Sequence, residues 1–318
     1  MQIKQNLMRA LINGTAYLAP YVSARFSYHL WTSTFRHKMP DKELAVFNSA
    51  RKEKIRVDGS NIMTYSWKAD ENRRLVLLLH GWNGRGTQLS SFVNVLVDAG
   101  YGVVSFDARG HGFSDGNHTN ILESVAIIKQ LALIHGDFFA MIGHSFGAMA
   151  AVNAINESVA CEKFIGISPP TEFSALLMVF SNYLGLNKKA IHVLESYVLN
   201  KYAIDSFDQI SITGIAPDMT IPCLIIHDKN DDKVPLSQAQ KAVELWSIRG
   251  SVRSSARRSV RRSTGNTIDS KIEGSINKKT PIKLTGSGAK LHITEGLGHI
   301  RILHKPPALE ASIEFLKI

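Results

Sequence analysis

The chain has 318 residues, of which 44% are hydrophobic and 20% are charged. This composition supplies a large buried core and excludes an intrinsically disordered protein. The sequence shows no apolar run of the roughly 18 residues that a membrane span needs, which argues against an integral membrane protein. Its two cysteines, Cys161 and Cys223, exclude a disulfide scaffold or a cysteine-rich zinc module, so we expect a reduced, cytoplasmic setting.

The formal net charge of +10 is concentrated in one segment of the chain. Residues 247–289 contain ten basic and two acidic residues, a net +8, and the other 275 residues sum to about +2. The segment is rich in Ser, Arg, Gly, Thr and Lys and has no hydrophobic period, which predicts a mostly disordered basic insert. Arginine-rich segments bind phosphates, but no aromatic residue interleaves with these arginines, which disfavours a nucleic-acid function.

The chain begins with a predicted helical arm and continues with an alternating α/β pattern. Residues 1–50 are expected to pack on the body as helices or to touch a membrane surface. From residue 51 onward, an Asp58-Gly59 turn signal separates two short strand patterns, as in a hairpin. Apolar runs typical of strands buried on both faces follow at Leu75–Leu79, Gly102–Phe106, Phe138–Ile142, Phe164–Ile167, Leu224–Ile226 and Leu291–Ile293. Helical patterns separate these runs, which predicts a mostly parallel sheet with helices on both faces.

Residues 170–215 interrupt this alternation. Apolar residues recur there at helical spacing in two stretches, one around Phe173 to Leu184 and one around Ile191 to Val198. The segment is long for an ordinary crossover, so it is predicted to form a small helical cap over the edge of the sheet.

The strongest chemical signal is the pentapeptide G-H-S-F-G at residues 143–147, which lies between a buried strand pattern and a helix of small residues. A sharp strand-to-helix turn there would expose the hydroxyl of Ser145 at the carboxyl edge of the sheet. The glycines on either side remove the Cβ clashes that such a turn creates. The start of the next helix presents free N–H groups to a developing oxyanion. We therefore predict that Ser145 is a nucleophile.

Five motifs follow one another in a characteristic order. They are H-G at residues 80–81, D-A-R-G-H-G-F-S at 107–114, G-H-S-F-G at 143–147, the aspartate-rich stretch at 228–235 and G-L-G-H at 296–299. This order resembles the α/β-hydrolase superfamily, and the resemblance covers about residues 51–246 and 290–318. It implies an α/β-hydrolase fold in which the loop after the first buried strand donates an oxyanion N–H. That donor would be Trp82, paired with the N–H of Phe146.

The resemblance also indicates an acid among three aspartates. The family pattern places the acid four residues before the end of the 228–235 stretch, which favours Asp231. Asp228 would then fix the turn with its side chain, while Asp232 and Asp228 stay open as alternatives for the acid.

His299 is the candidate base, since it follows the last predicted strand in a glycine-rich turn. The chain order Ser145, Asp231, His299 is the order expected for this fold. The nearest rival, His304, falls in the following helical region, and His80 is expected to be structural, as is the turn at residues 107–114.

These residues predict a serine hydrolase that forms an acyl-enzyme and cleaves an ester, thioester or lipid acyl bond. The apolar cap favours a small-molecule substrate with an apolar acyl group. Aminopeptidase or amidase activity on the same triad, or a non-catalytic binding protein with this fold, are the alternatives. No cofactor or metal is expected, because neither HExxH-like spacing nor a dinucleotide glycine motif occurs. A weak contact with an anionic membrane is expected through the arm or the insert, and the oligomeric state stays open.

Overall fold

The computed structural model describes residues 2–69, 72–246, 283–284 and 288–318. Its centre is a nine-stranded sheet with strand order β1-β2-β4-β3-β5-β6-β7-β9-β8. The strands are Arg51–Val57 (β1), Ser60–Trp67 (β2), Leu75–Leu79 (β3), Gly102–Phe106 (β4), Phe138–His144 (β5), Cys161–Ile167 (β6), Cys223–Asp228 (β7), Lys283–Leu284 (β8) and Ala289–Thr294 (β9). The six strands from β4 to β9 in the middle of this order are parallel, and β1, β2 and β8 pair antiparallel at the edges. The predicted fold class is confirmed.

Helices cover both faces of the sheet. They are Gln2–Leu18 (α1), Pro20–Thr32 (α2), Asp41–Ser49 (α3), Ser90–Asp98 (α4), Ile121–His135 (α5), Phe146–Asn156 (α6), Phe173–Leu184 (α7), Lys188–Tyr202 (α8), Ile212–Ile215 (α9), residues 236–246 (α10), Gly298–Arg301 (α11) and Pro306–Lys317 (α12). Alternate residues of a strand point to opposite faces. Leu77 of β3 therefore belongs to one apolar cluster, with Ile128 of α5, whereas Leu78 belongs to another, with Phe92 of α4 and Phe315 of α12.

The carboxyl ends of the parallel strands converge at one edge of the sheet. All residues of β3, β5 and β7 are buried, so these strands form a rigid base for the loops that follow them. Along the chain, β4 is added on one side of β3 and β5 on the other, so the strand order reverses beside β3. In open α/β sheets, ligands bind at such a reversal. This edge is therefore where a functional site is expected.

The N-terminal helices are integrated into the body. Ile12 and Ala16 of α1 are fully buried in the same apolar cluster as one face of the sheet. The Ser23 hydroxyl donates to the Ile12 carbonyl at 2.9 Å, which fixes α2 against α1. Helices α1 and α2 form one helical layer with α7 and α8, which lie in the segment predicted as a cap.

Most of the predicted basic insert, residues 247–282 and 285–287, lies outside the described residues. Of the remainder, Lys283–Leu284 form β8, which pairs with β9 at the edge of the sheet. Within the described parts of the chain, every helix is too short or too polar to cross a membrane.

Candidate active site

Ser145 occupies a strained turn between β5 and α6. Its backbone angles are φ 50° and ψ −121°, a region that costs a residue other than glycine about 1–3 kcal/mol. Neighbouring glycines make the turn sterically possible. A Cβ on Gly143 would overlap the backbone of Ala148, and one on Gly147 would lie 2.5 Å from the carbonyl oxygen of His80. Ser145 borders the apolar cavity described below.

The structure brings His299 and Asp231 together. Their Nδ1 and Oδ2 atoms are 2.8 Å apart, and the Asp231 side chain is fully buried. Its other oxygen accepts hydrogen bonds from the backbone N–H groups of Lys233 and Val234, each at 2.9 Å. Burial opposes ionisation, but the hydrogen bonds from His299 and the two N–H groups outweigh it and lower the pKa of Asp231 to about 2. The carboxylate is therefore ionised at neutral pH.

The other two aspartates have different partners. Asp228 accepts three hydrogen bonds, from the N–H of Asn230 at 2.9 Å, the hydroxyl of Thr294 at 2.7 Å and the N–H of Leu297 at 3.0 Å. It therefore ties the loop after β7 to the end of β9. The side chain of Asp232 is exposed and pairs with Lys233 at 3.0 Å. Within this group, Asp231 is the aspartate in contact with His299.

His299 also lies beside the turn that carries the serine. The Nε2 atom of His144 is 3.0 Å from the His299 carbonyl oxygen, and the two rings lie 4.9 Å apart between centroids. Among the described residues, the Ser145 hydroxyl forms no hydrogen bond of 3.5 Å or less, so no hydrogen bond joins it to the His299 ring. Contacts of this kind often tighten only when substrate binds.

The side chains of Trp82 and Phe146, whose N–H groups are the expected oxyanion donors, are in contact. The Trp82 and Phe146 rings pack edge to face at 5.2 Å. Phe146 is the first residue of α6, where an N–H has no acceptor within its own helix. The N–H of Asn83, next to Trp82, donates to Nε2 of His111 at 3.0 Å and so holds the loop in place.

The turn at residues 107–114 is hydrogen-bonded to the loop after β3. The N–H of Ala108 donates to Nε2 of His80 at 3.0 Å. The carboxylate of Asp107 accepts three hydrogen bonds, from the N–H of Gly86 at 2.6 Å, the N–H of Phe113 at 2.7 Å and the hydroxyl of Tyr65 at 2.8 Å. His80 and Asp107 therefore hold the loops around the site in place by hydrogen bonds. His304 is hydrogen-bonded to Ser91 and does not contact Asp231.

Two buried histidines contact the site in ways that the sequence did not predict, although His144 lies within the G-H-S-F-G pentapeptide. His144 holds the His299 backbone, as described. His227, the residue before Asp228, donates from Nε2 to the Val234 carbonyl at 2.9 Å, and the same nitrogen is 3.7 Å from Oδ2 of Asp231. In the sequence, only the place of His227 near the end of a buried strand, just before the loop that carries Asp231, could have suggested this role.

An apolar cavity of about 440 Å³ opens beside Ser145. Its lining comes mainly from the loop after β3, from residues 30–35 at the end of α2 and just after it, and from α7. The main apolar lining residues are Leu30, Trp31, Phe35, Trp82, Phe146, Phe173, Leu176, Val179, Phe180 and Tyr183. The contribution of the N-terminal segment was not anticipated from the sequence, because it depends on how α2 packs against α7. In residues 2–69, 72–246 and 288–318, no three His, Cys, Asp or Glu side chains are grouped to hold a metal ion.

Several known proteins are similar to this chain. The sequence model of the alpha/beta hydrolase family matches residues 76–311. The lysophosphatidylserine lipase ABHD12 of Mus musculus is 28% identical over 199 residues, which are 58% of this chain and 48% of the lipase. The uncharacterized protein YqkD of Bacillus subtilis (strain 168) is 23% identical over 204 residues, which are 58% of this chain and 64% of YqkD. The match therefore spans less than two thirds of either relative.

A solved structure shows the same fold. The esterase Pf2001 of Pyrococcus furiosus superposes with a TM-score of 0.59, at 16% sequence identity, over 90% of this chain and 96% of the esterase. At this identity the likeness concerns the fold alone.

Proposed function

Because the chain belongs to the alpha/beta hydrolase family, we propose that it is a serine hydrolase that cleaves carboxylic esters through Ser145, His299 and Asp231. The observation that carries the proposal is the 2.8 Å hydrogen bond between His299 and a buried, ionised Asp231, beside a strained serine turn that opens into an apolar cavity. An arrangement of nucleophile, base and orienting carboxylate is what acyl transfer requires.

The geometry suggests a role for each residue. Asp231 accepts the Nδ1–H of His299, which leaves Nε2 as the acceptor for the Ser145 proton. The Ser145 oxygen then attacks the ester carbonyl carbon, and the N–H groups of Trp82 and Phe146 bind the resulting oxyanion. Each such donor is worth about 3 kcal/mol of barrier lowering.

Collapse of this tetrahedral intermediate releases the alcohol, which takes the proton from His299, and leaves an acyl group on Ser145. A water molecule deprotonated by the same histidine then attacks the acyl carbon. The bond to the Ser145 oxygen breaks, that oxygen takes the proton from His299, and the carboxylic acid is released.

The cavity supports an ester with an apolar acyl group as the substrate. Its lining is mostly aromatic and aliphatic, and Ser145 lies at its border. The name of the mouse relative, a lysophosphatidylserine lipase, agrees with a lipid ester. We therefore propose lipid acyl esters as the substrate class, and thioesters as chemically close substrates of the same site.

A panel of p-nitrophenyl esters of increasing acyl length, with one p-nitroanilide of matched length, tests this proposal. We expect kcat/KM to rise from acetate towards medium-chain esters by up to about fourfold per methylene, since each buried methylene contributes roughly 0.8 kcal/mol. Ser145→Ala is the control and should be inactive on every substrate. Faster cleavage of the anilide than of the ester would favour the amidase alternative, and no cleavage of any substrate would favour a binding protein.

A further inference from the structure

Exposed apolar side chains are concentrated in the N-terminal segment and in α7, and both of these line the cavity. Among the described residues, 17 large hydrophobic side chains are exposed, and 11 of them belong to residues 7–35 or to α7. The most exposed of these 11 are Leu7 and Leu18 of α1, at 72% and 88%, and Tyr183 of α7, at 74%. Soluble surfaces rarely expose so many neighbouring apolar groups without an interaction partner.

We give these side chains one name, the mouth face: the exposed apolar side chains of α1, α2 and α7, together with Phe35. In α1, Leu7, Leu11 and Leu18 recur at helical spacing opposite the buried Ile12. Three of the exposed residues, Phe35 and, in α7, Val179 and Tyr183, also line the cavity. The mouth of the cavity is therefore rimmed by the same surface.

Direct contacts join the helices of the mouth face. The side-chain amide of Asn13 in α1 donates to the carbonyl of Gly185, directly after α7, at 3.1 Å. Its oxygen accepts the N–H of Asn187 at 2.8 Å. The Trp31 ring of α2 packs against the Phe180 ring of α7 at 6.4 Å. The three helices therefore hold the mouth face as one unit.

The charge of these helices indicates which kind of partner the mouth face would bind. Residues 1–40 contain no Asp or Glu, and α7 contains none either. Basic residues accompany the apolar ones, with Arg9 and Arg25 exposed on α1 and α2. A second copy of this face would bring like charges together. Apolar side chains flanked by basic groups, without acidic ones, match a bilayer whose headgroups are anionic.

We infer that the mouth face docks on the surface of an anionic lipid bilayer, with its apolar side chains in the interface and the cavity opening onto the lipid. The helices lie on the membrane and do not cross it. Docking does not require catalysis, whereas entry of an acyl substrate from the lipid through the mouth rests on the proposed function.

Co-sedimentation with vesicles tests the docking. The vesicles are phosphatidylcholine alone, or phosphatidylcholine with roughly one third phosphatidylglycerol. The test variant is Leu7→Glu/Leu18→Glu, which places two negative charges on the outer stripe of α1 and changes no cavity residue. The control is Leu133→Glu/Ile134→Glu, also exposed and apolar, at the end of α5 remote from the cavity.

Wild type and the control should bind the anionic vesicles equally, and more tightly than phosphatidylcholine alone. The test variant should bind at least tenfold less tightly. Equal binding by the test variant and the control would overturn the inference, as would failure of the wild type to bind. A lipid-free dimer that the test variant abolishes would overturn it too, by assigning the face to a second copy of the chain.

Hydrolysis of p-nitrophenyl acetate in the absence of lipid separates the two proposals. The test variant and the control should both cleave this water-soluble ester at the wild-type rate. Vesicle binding without any ester cleavage would contradict the proposed function and leave the docking supported. Ester cleavage without vesicle binding would contradict the docking and leave the proposed function supported.

Discussion

Two backbone N–H groups and one imidazole converge on the carboxylate of Asp231, and this convergence distinguishes it from the aspartates nearby. The N–H groups come from the tight turn at Lys233 and Val234, so the turn orients the carboxylate before any substrate arrives. Asp232 projects into solvent from the same turn. The spacing to Pro235 favoured Asp231 in the sequence because that spacing reflects the turn, which is a local feature.

Substitution at this turn tests the assignment of the acid. Asp231→Asn should lower kcat by about 10⁴-fold, because the amide cannot hold His299 in the required tautomer. Asp232→Asn is the matched control and should stay within twofold of wild type, since its side chain is exposed. The measurement is kcat for a p-nitrophenyl ester at neutral pH. An inactive Asp232 variant beside an active Asp231 variant would show that the acid lies one position further on.

At the scale of elements, the N-terminal helices are part of the body that carries the candidate site. The resemblance to the hydrolase superfamily began at about residue 51, and no motif in the preceding arm indicated a role in the site. The structure places Leu30, Trp31 and Phe35 in the cavity wall, opposite α7. The sequence predicted a helical arm there, but which cavity a helix borders depends on packing between distant segments, and local patterns do not encode it.

The cavity wall should set the preferred acyl length. Leu176 lines the cavity from α7, so Leu176→Trp should fill part of the space that a long acyl chain occupies. We expect kcat/KM for a medium-chain p-nitrophenyl ester to fall about tenfold, which corresponds to the loss of roughly two buried methylenes. The acetate ester should be unaffected. Leu176→Met preserves the side-chain volume and serves as the control; an equal loss in both variants, or on both esters, would refute this role for the wall.

The basic segment between α10 and β8 is predicted to be dispensable for the reaction. Asp231 and His299 meet through β7 and β9, which pair directly with each other. Replacing residues 248–281 by a short Gly-Ser linker should therefore preserve the melting temperature and the esterase rate, because loop length adds little closure entropy. Thermal unfolding and ester hydrolysis measure both properties. A collapse of either would show that the segment belongs to the active body.

For the whole molecule, the sheet was the most predictable part. Continuous apolar runs gave β3 and β4 with their bounds and the cores of β5, β6, β7 and β9, because strands buried on both faces admit few polar residues. The edge strand β8 escaped prediction, since a two-residue edge strand needs no apolar pattern. The histidines 144 and 227 escaped as functional supports because their roles arise from contacts across the site.

Buried neutral histidines should make the whole fold sensitive to acid. Burial lowers the pKa of His80 to about 4 and the pKa values of His111 and His144 to about 3, from 6.5. The unfolded chain therefore binds protons that the folded chain does not, and stability falls as the pH drops below about 6.5. Each histidine should cost about 2 kcal/mol of unfolding free energy between pH 7 and pH 5.

Urea unfolding at the two pH values measures this loss. His111→Asn should reduce the difference between pH 7 and pH 5, because one of the protonation sites is removed. His37→Asn, at an exposed position, is the control and should leave the difference unchanged. Unfolding free energies that are equal at pH 7 and pH 5 would contradict the prediction.

Covalent labelling of the serine tests the central claim most directly. A fluorophosphonate probe reacts only with a serine that a neighbouring base activates, so intact mass and peptide mapping should show one adduct, located on Ser145. Ser145→Ala should take up no label, and His299→Ala should label at least a hundredfold more slowly, since general-base assistance typically contributes 10²–10⁴-fold. An unlabelled wild-type protein, or an adduct on a different serine, would contradict the proposed serine-hydrolase mechanism.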